Sequence, residues 1–222
     1  MKTKSPVERG FAVRDCGLTD YQETLQEQHE LAVQRREGLI GDTVLLVEHQ
    51  PVITLGARKL INKLLAGPEE LAEKGISVVE IRRGGGATAH NPGQIVFYPI
   101  IELRGLNLTI GGYIRQLEEI GIELLEQLGL YSERREGFPG LWVGNKKIGF
   151  IGVRVSKGIT HHGMAVNINN NLGIFDYIVP CGLEGVEITS VLEETGREYT
   201  IDEVKQRLSG LLEEHFSNRD AE

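Results

Sequence analysis

The sequence predicts an α+β fold, a mixed and largely antiparallel sheet with flanking helices. Helical and strand patterns alternate irregularly along the 222 residues. Several strand-to-strand connections are too short to hold the crossover helix that parallel pairing needs. Between two strand-like runs, Gly144-Asn145 has hairpin chemistry, because both residues tolerate positive φ.

In chain order, Asp20 to Arg36 reads as a helix, with Tyr21, Leu25 and Ala32 at helical spacing among polar residues. Thr43 to Glu48 and Val52 to Leu55 are short strand candidates separated by Pro51. Pro68 to Lys74 is a short helix stopped at Gly75. Ser77 to Arg82 and Gln94 to Glu102 read as strands on either side of a glycine-rich turn. Thr109 to Leu128 is the clearest helix, since Ile110, Tyr113, Ile114, Leu117, Leu124, Leu125 and Leu128 form one apolar stripe. Leu141 to Val143, Lys147 to Val155 and Thr160 to Ile168 read as antiparallel strands. A capping box, Thr200 to Glu203, opens a last helix with Val204, Leu208, Leu211, Leu212 and Phe216 inward. No repeat or low-complexity linker interrupts the chain, so one domain over residues 1–222 is expected.

Composition narrows the function. With 40% hydrophobic and 25% charged residues, the chain can bury an ordinary globular core. A net charge of −8 argues against nucleic-acid binding and against a membrane-surface role. The two cysteines, Cys16 and Cys181, are too few for a disulfide-stapled fold. The start lacks a signal-peptide pattern, and no segment approaches the ~20 apolar residues that span a bilayer. A reducing cytoplasm is therefore expected, where a thiol is available for chemistry.

Four segments stand out. Arg82 to Gln94, RRGGGATAHNPGQ, carries three consecutive glycines, which suit a backbone passing close to a ligand chain or to another backbone. Its spacing fits no phosphate loop, while Arg82, Arg83 and His90 suggest a polar or anionic partner. Cys181 sits between proline and glycine, on a sharp turn; it is either a small buried hydrophobe or a nucleophile. For Cys16 only the buried role has support. Lys146-Lys147 opens an apolar run, as a solvated edge charge or as an ammonium that activates a thiol. His161 and His162 should face opposite sides of a strand, so no metal site is expected.

Taken together, EHQPVITLG (Glu48 to Gly56), RGGGATAHNPGQIVFYPI (Arg83 to Ile100), GLWVGNKKIGFIGVRVSKGITHHGMAVNINNNL (Gly140 to Leu172) and PCGLEGVEITSV (Pro180 to Val191) resemble the lipoyl(octanoyl)transferase family of lipoate biosynthesis. The segments occur in the family's order and span most of Glu48 to Val191.

The resemblance implies a fold similar to biotin and lipoate protein ligase catalytic domains. It implies transfer of octanoate, or lipoate, from acyl carrier protein to a lysine on lipoyl domains of 2-oxoacid dehydrogenases and on the glycine-cleavage H protein. The family's thioester-forming cysteine falls on Cys181 and its partner lysine on Lys147. Its acyl-contacting segments fall on Arg83, Gly84, Gly85, Gly86, Ala87, Thr88, Ala89 and His90, on Phe150, Ile151 and Gly152, and on Gly163, Met164 and Ala165. Ala89 and Asn91 depart from the family's usual aromatic and glycine, and Ala89 would remove one wall of the acyl tunnel. Because the acyl group arrives as a thioester, no cofactor is expected. Apolar Val96, Ile151 and Met164 would line the tail's path, and backbone N–H groups near Cys181 and Gly152 would hold the oxyanion. Arg58, Lys59, Arg82 and Arg83 would form a basic rim for acidic partners. The alternatives are an ATP-dependent lipoate ligase on the same fold, and a non-catalytic binder of carrier or lipoyl domains.

Overall fold

Alternating apolar residues assemble a central six-stranded sheet in the computed structural model, which describes residues 10–217. Its strands are β1 (Ala12–Thr19), β2 (Thr43–His49), β6 (Gln94–Ile100), β9 (Ile159–Asn167), β8 (Lys146–Ser156) and β7 (Leu141–Val143), in that spatial order. Only β1 and β2 run parallel within it, joined by helix α1 (Tyr21–Arg36) as crossover. The other pairings are antiparallel. A second sheet holds β4 (Ser77–Glu80), β3 (Val52–Leu55) and β5 (Thr88–His90) in that order.

Each helix starts where its sequence supplies a cap. Asp20 accepts from the Gln22 and Glu23 N–H groups (2.7 and 3.2 Å) to open α1. Helix α2 (Pro68–Glu73) begins on proline, and Gly75 follows it at φ 69°. Thr109 caps α3 (Ile110–Gln127), and α4 (Val191–Thr195) is capped by Ser190. The box at Thr200 and Glu203 closes reciprocally, at 2.9 and 3.2 Å, over α5 (Ile201–Ser217).

The large sheet is covered on both faces. Tyr113, Leu117 and Leu124 of α3, with Val204, Leu208 and Leu212 of α5, pack on Leu46, Phe97 and Val166. On the opposite face, Leu31 and Ala32 of α1 meet Leu45, Val96, Tyr98 and Ala165. Beside α1 the small sheet lays Ile53 and Ala89, with Ala87 just ahead of β5, against Phe150 of β8. Burying each large side chain contributes roughly 1.5–3 kcal/mol. Among the described residues no helix is long and apolar enough to cross a membrane.

The sequence expectations need three corrections here. Strand β1 was not anticipated, because AVRDCGLT alternates poorly and pairs along one side only. The glycine-rich run does not turn between two neighbouring strands: β4 and β6 lie in different sheets, and β5 is hidden inside the run. In the β7–β8 hairpin only Gly144 takes positive φ, not Asn145.

Candidate active site

The glycine-rich loop is built around an arginine. Arg83 is buried, and its guanidinium donates to Thr54 O (2.9 Å), Thr54 Oγ1 (2.7 Å), Gly86 O (2.8 Å) and Gly84 O (3.1 Å). Strand β8 leaves room for it at Gly152, where an added Cβ would stand 2.6 Å from Arg83 Cδ. Gly84 N–H clips the loop to Val153 O of β8 (2.9 Å), and Gly86 lies under Ile61. Arg83 therefore shapes the loop from inside and is no part of a basic rim. Arg58, Lys59 and Arg82 are exposed.

Cys181 occupies the turn Pro180–Gly182 in a left-handed backbone conformation, φ 56°. Such a conformation is costly for a residue with a Cβ and persists only where its surroundings impose it. The imposing contact is its own N–H, which donates to Ala87 O (2.9 Å) and anchors the turn beside β5. Gly182 N–H is likewise committed, to Val179 O (3.1 Å). Neither of these two amides is free for an oxyanion. Cys16 lies half-buried on β1, its thiol pushed up to about 11 by burial and by Glu27.

Lys147 is not an edge charge. Only 1% exposed, it runs inward from β8 between the rings of Trp142 (4.8 Å) and Phe150 (5.7 Å), and its Nζ donates to Pro139 O (2.8 Å). Its backbone is pinned by the chain returning from Cys181. Lys147 N–H donates to Glu187 O (2.8 Å), and Thr189 N–H donates to Lys147 O (3.0 Å). Burial draws the ammonium below the ordinary lysine range, whereas Cys181 and Glu118 push it back up and Arg135 pulls it down.

A cavity of about 370 Å³ is walled by both Cys181 and Lys147, together with Arg58, Ile61, Phe138 and Pro139. From its floor a narrow slot continues on the α1 side of the sheet, sharing Gly85, Ile151 and Cys181 with it. Arg83, Thr88, His90, Phe150, Gly152, Gly163, Met164 and Ala165 line the slot, with Val96. Its volume is about 30 Å³, against about 370 Å³ for the chamber.

Several anticipated contacts lie elsewhere. Strand alternation turns Thr88 and His90 to the slot and Ala89 away from it, into the cluster of Ile53 and Phe150. Ala89 thus removes no tunnel wall. Ala87 is buried in the same cluster, with its carbonyl on the Cys181 turn. Met164 borders the slot, but its thioether end packs toward Gly121 and Gly149 in the α3 core.

Tyr21, Tyr98 and His162 also line the slot; the sequence marked His162 only as one of an adjacent pair and gave no site signal for the two tyrosines, because α1, β6 and β9 meet there only in the fold. Tyr21 stacks on His90 (5.9 Å), His90 meets Gln94 Oε1 through Nδ1 (2.7 Å), and His49 Nε2 lies 2.9 Å from Tyr98 OH. Burial lowers His49 to about 4, His90 to about 3 and His162 to about 3, so all three are neutral near pH 7. His90 therefore offers no charge to the polar or anionic partner suggested by Arg82, Arg83 and His90, while Arg83 commits its terminal guanidinium nitrogens to loop and Thr54 oxygens and Arg82 is exposed. His162 takes φ 58°, which breaks alternation: His161 packs on His29 of α1, and His162 on Tyr98, both on the α1 side. Arg83 Nε, Thr88 Oγ1 and His162 Nδ1 are buried along the slot with no partner among the described residues.

Known proteins share this architecture. Residues 20–213 match the family described as the lipoyl protein ligase A/B catalytic domain. A protein named octanoyltransferase from Roseiflexus sp. (strain RS-1) is 45% identical over 207 residues, covering 92% of this chain and 86% of its own. A solved structure of a bi-partite lipoate protein ligase from Thermoplasma acidophilum matches 94% of this chain and 83% of its own, at 18% identity and TM-score 0.69. The biotin protein ligase of Aquifex aeolicus matches 94% and 69%, at 13% identity and TM-score 0.52. At such identities the structural likeness speaks for the fold alone, and the fold is that of lipoate and biotin ligase catalytic domains.

Proposed function

The chain belongs to the lipoyl protein ligase A/B catalytic domain family, and from that premise we propose that it moves an octanoyl or lipoyl group through a thioester on Cys181 to a lysine of a lipoyl domain. It is an acyltransferase. The donor is acyl carrier protein; the acceptors are lipoyl domains of 2-oxoacid dehydrogenases and the glycine-cleavage H protein, in the cytoplasm. The observation that carries this reading is the shared cavity: Cys181 and Lys147 wall one chamber at the head of a mostly apolar slot.

The steps balance on two residues. Cys181 thiolate attacks the donor thioester carbonyl and forms an acyl–sulfur bond. The bond between the acyl carbon and the carrier's sulfur breaks, and Lys147 ammonium gives its proton to the departing carrier thiolate. The acceptor amine then attacks the acyl-Cys181 carbonyl, the amide bond forms, and Cys181 leaves as thiolate. Neutral Lys147 takes the amine proton and is again an ammonium. Thr88 Oγ1 is the hydroxyl best suited to the carbonyl oxygen, being buried, unpartnered among the described residues and on the slot beside the Cys181 turn. The tail lies along Val96, Phe150 and Ile151, gaining roughly 0.8 kcal/mol per buried CH₂.

Intact mass spectrometry after incubation with octanoyl carrier protein tests the reading. Wild type should gain one octanoyl group and Cys181→Ser none. An adduct that persists in Cys181→Ser, or transfer that requires ATP, would reject it.

A further inference from the structure

Lys147 Nζ donates to Pro139 O (2.8 Å). That carbonyl belongs to the peptide unit joining Pro139 to Gly140, and the N–H of the same unit donates to Glu118 Oε1 (3.1 Å). A planar trans peptide sends its C=O and N–H in opposite directions. The unit is therefore a bridge, with a carboxylate at one end and an ammonium at the other. We propose that Glu118 is a positioning residue for Lys147, acting through the Pro139–Gly140 peptide to set where the ammonium stands and how firmly it holds its proton.

Three further observations support this. First, Glu118 is only 4% exposed on α3. A buried carboxylate is expensive, so it persists where specific partners hold it. Its partners are the Gly140 N–H and Arg134, whose Nε stands 3.3 Å away and whose other end pairs with Glu119. Second, Gly140 takes φ 120°, and an added Cβ would overlap Gly149 O and lie 3.1 Å from Lys147 Nζ. The bridging peptide thus runs so close to the ammonium that only a residue without a side chain fits there. Third, a carboxylate on the N–H end polarises the peptide and makes its carbonyl a better acceptor for a cation.

The charged groups facing Lys147 are Cys181 from its turn, Glu118 from α3 and Arg135 from the loop before β7. Glu118 is the only one of the three that touches the peptide holding the ammonium. The inference rests on the proton-carrying role proposed above for Lys147.

The test uses the full chain with ¹³C-labelled lysine, the Lys147 resonance being identified by its loss in Lys147→Arg. In Glu118→Gln the Lys147 titration midpoint should move to lower pH, because the neighbouring negative charge that favours the ammonium is gone. The alkaline limb of Cys181 acylation, followed by intact mass, should move the same way. The rate should also fall about tenfold or more, toward the roughly hundredfold that a 1 Å misplacement costs. Glu118→Asp, which keeps the charge but retracts it from Gly140, should shift the midpoint in the same direction by less, and it decides the matter if the glutamine variant does not fold. An unmoved midpoint in a folded variant overturns the proposal, and slower acylation with the limb in place reduces Glu118 to scaffolding. If wild type forms no adduct, the proposed function fails, and the resonance alone still decides the part played by Glu118.

Discussion

At the scale of single residues, the site depends on what two glycines leave out. Gly152 makes room for Arg83 and Gly140 for Lys147. Gly140→Ala forces a side chain into a backbone conformation and a space that exclude it, at a cost of order 1–3 kcal/mol. For a domain near this size that corresponds to a drop of roughly 2–12 °C in melting temperature. Differential scanning calorimetry should show the drop, and intact mass should show acylation of Cys181 lost; normal acylation would mean that Lys147 does not need this passage. Cys181 and Lys147 were legible as residues, one between proline and glycine, the other opening an apolar run. Arg83 was legible only as a charge, because a sequence does not show the four oxygen atoms that enclose it. Glu118 gave no signal: beside Leu117 it looks like any surface position of an amphipathic helix.

At the scale of elements, α3 and α5 were legible because their stripes and caps agree with their packing. Strand β5 was not, since three residues inside a glycine run hold no period, and their pairing partner β3 is distant in sequence. The turn at Lys59–Ile61 stands at the cavity's edge. Ile61 rests on Gly86 and Gly182 while Leu60 is 97% exposed, Arg58 presents charge at the cavity, and Lys59 follows it exposed on the turn. Charge reversal of Arg58 and Lys59 should slow transfer from an acidic carrier protein several-fold more than transfer from octanoyl pantetheine, most visibly at low ionic strength. Equal slowing of both donors, measured by initial rates, would show that these side chains do not steer the protein.

At the scale of the whole molecule, two sheets of unequal size meet around buried imidazoles. The sequence pattern showed the mixed, mostly antiparallel character but not the division into two sheets, which depends on pairings between remote segments. His49, His90 and His162 have folded values of about 4, 3 and 3, below the ~6.5 of an unfolded chain. Their contribution is fully present above pH 6.5 and is lost as pH falls toward the folded values, since the unfolded chain then takes up protons the native one refuses. Urea unfolding at pH 7 and pH 5 should show stability falling with acid by up to about 1.4 kcal/mol per pH unit for each imidazole; equal stability at the two values would contradict this. The meeting of slot and chamber at Cys181, Gly85 and Ile151 also governs traffic. On the proposed Cys181 route, cargo parked in the slot would stay where it is while the arm that delivered it withdraws and another arrives by the same doorway. Donor and acceptor would then queue rather than dock side by side, and an unloaded carrier lingering at the entrance would obstruct both.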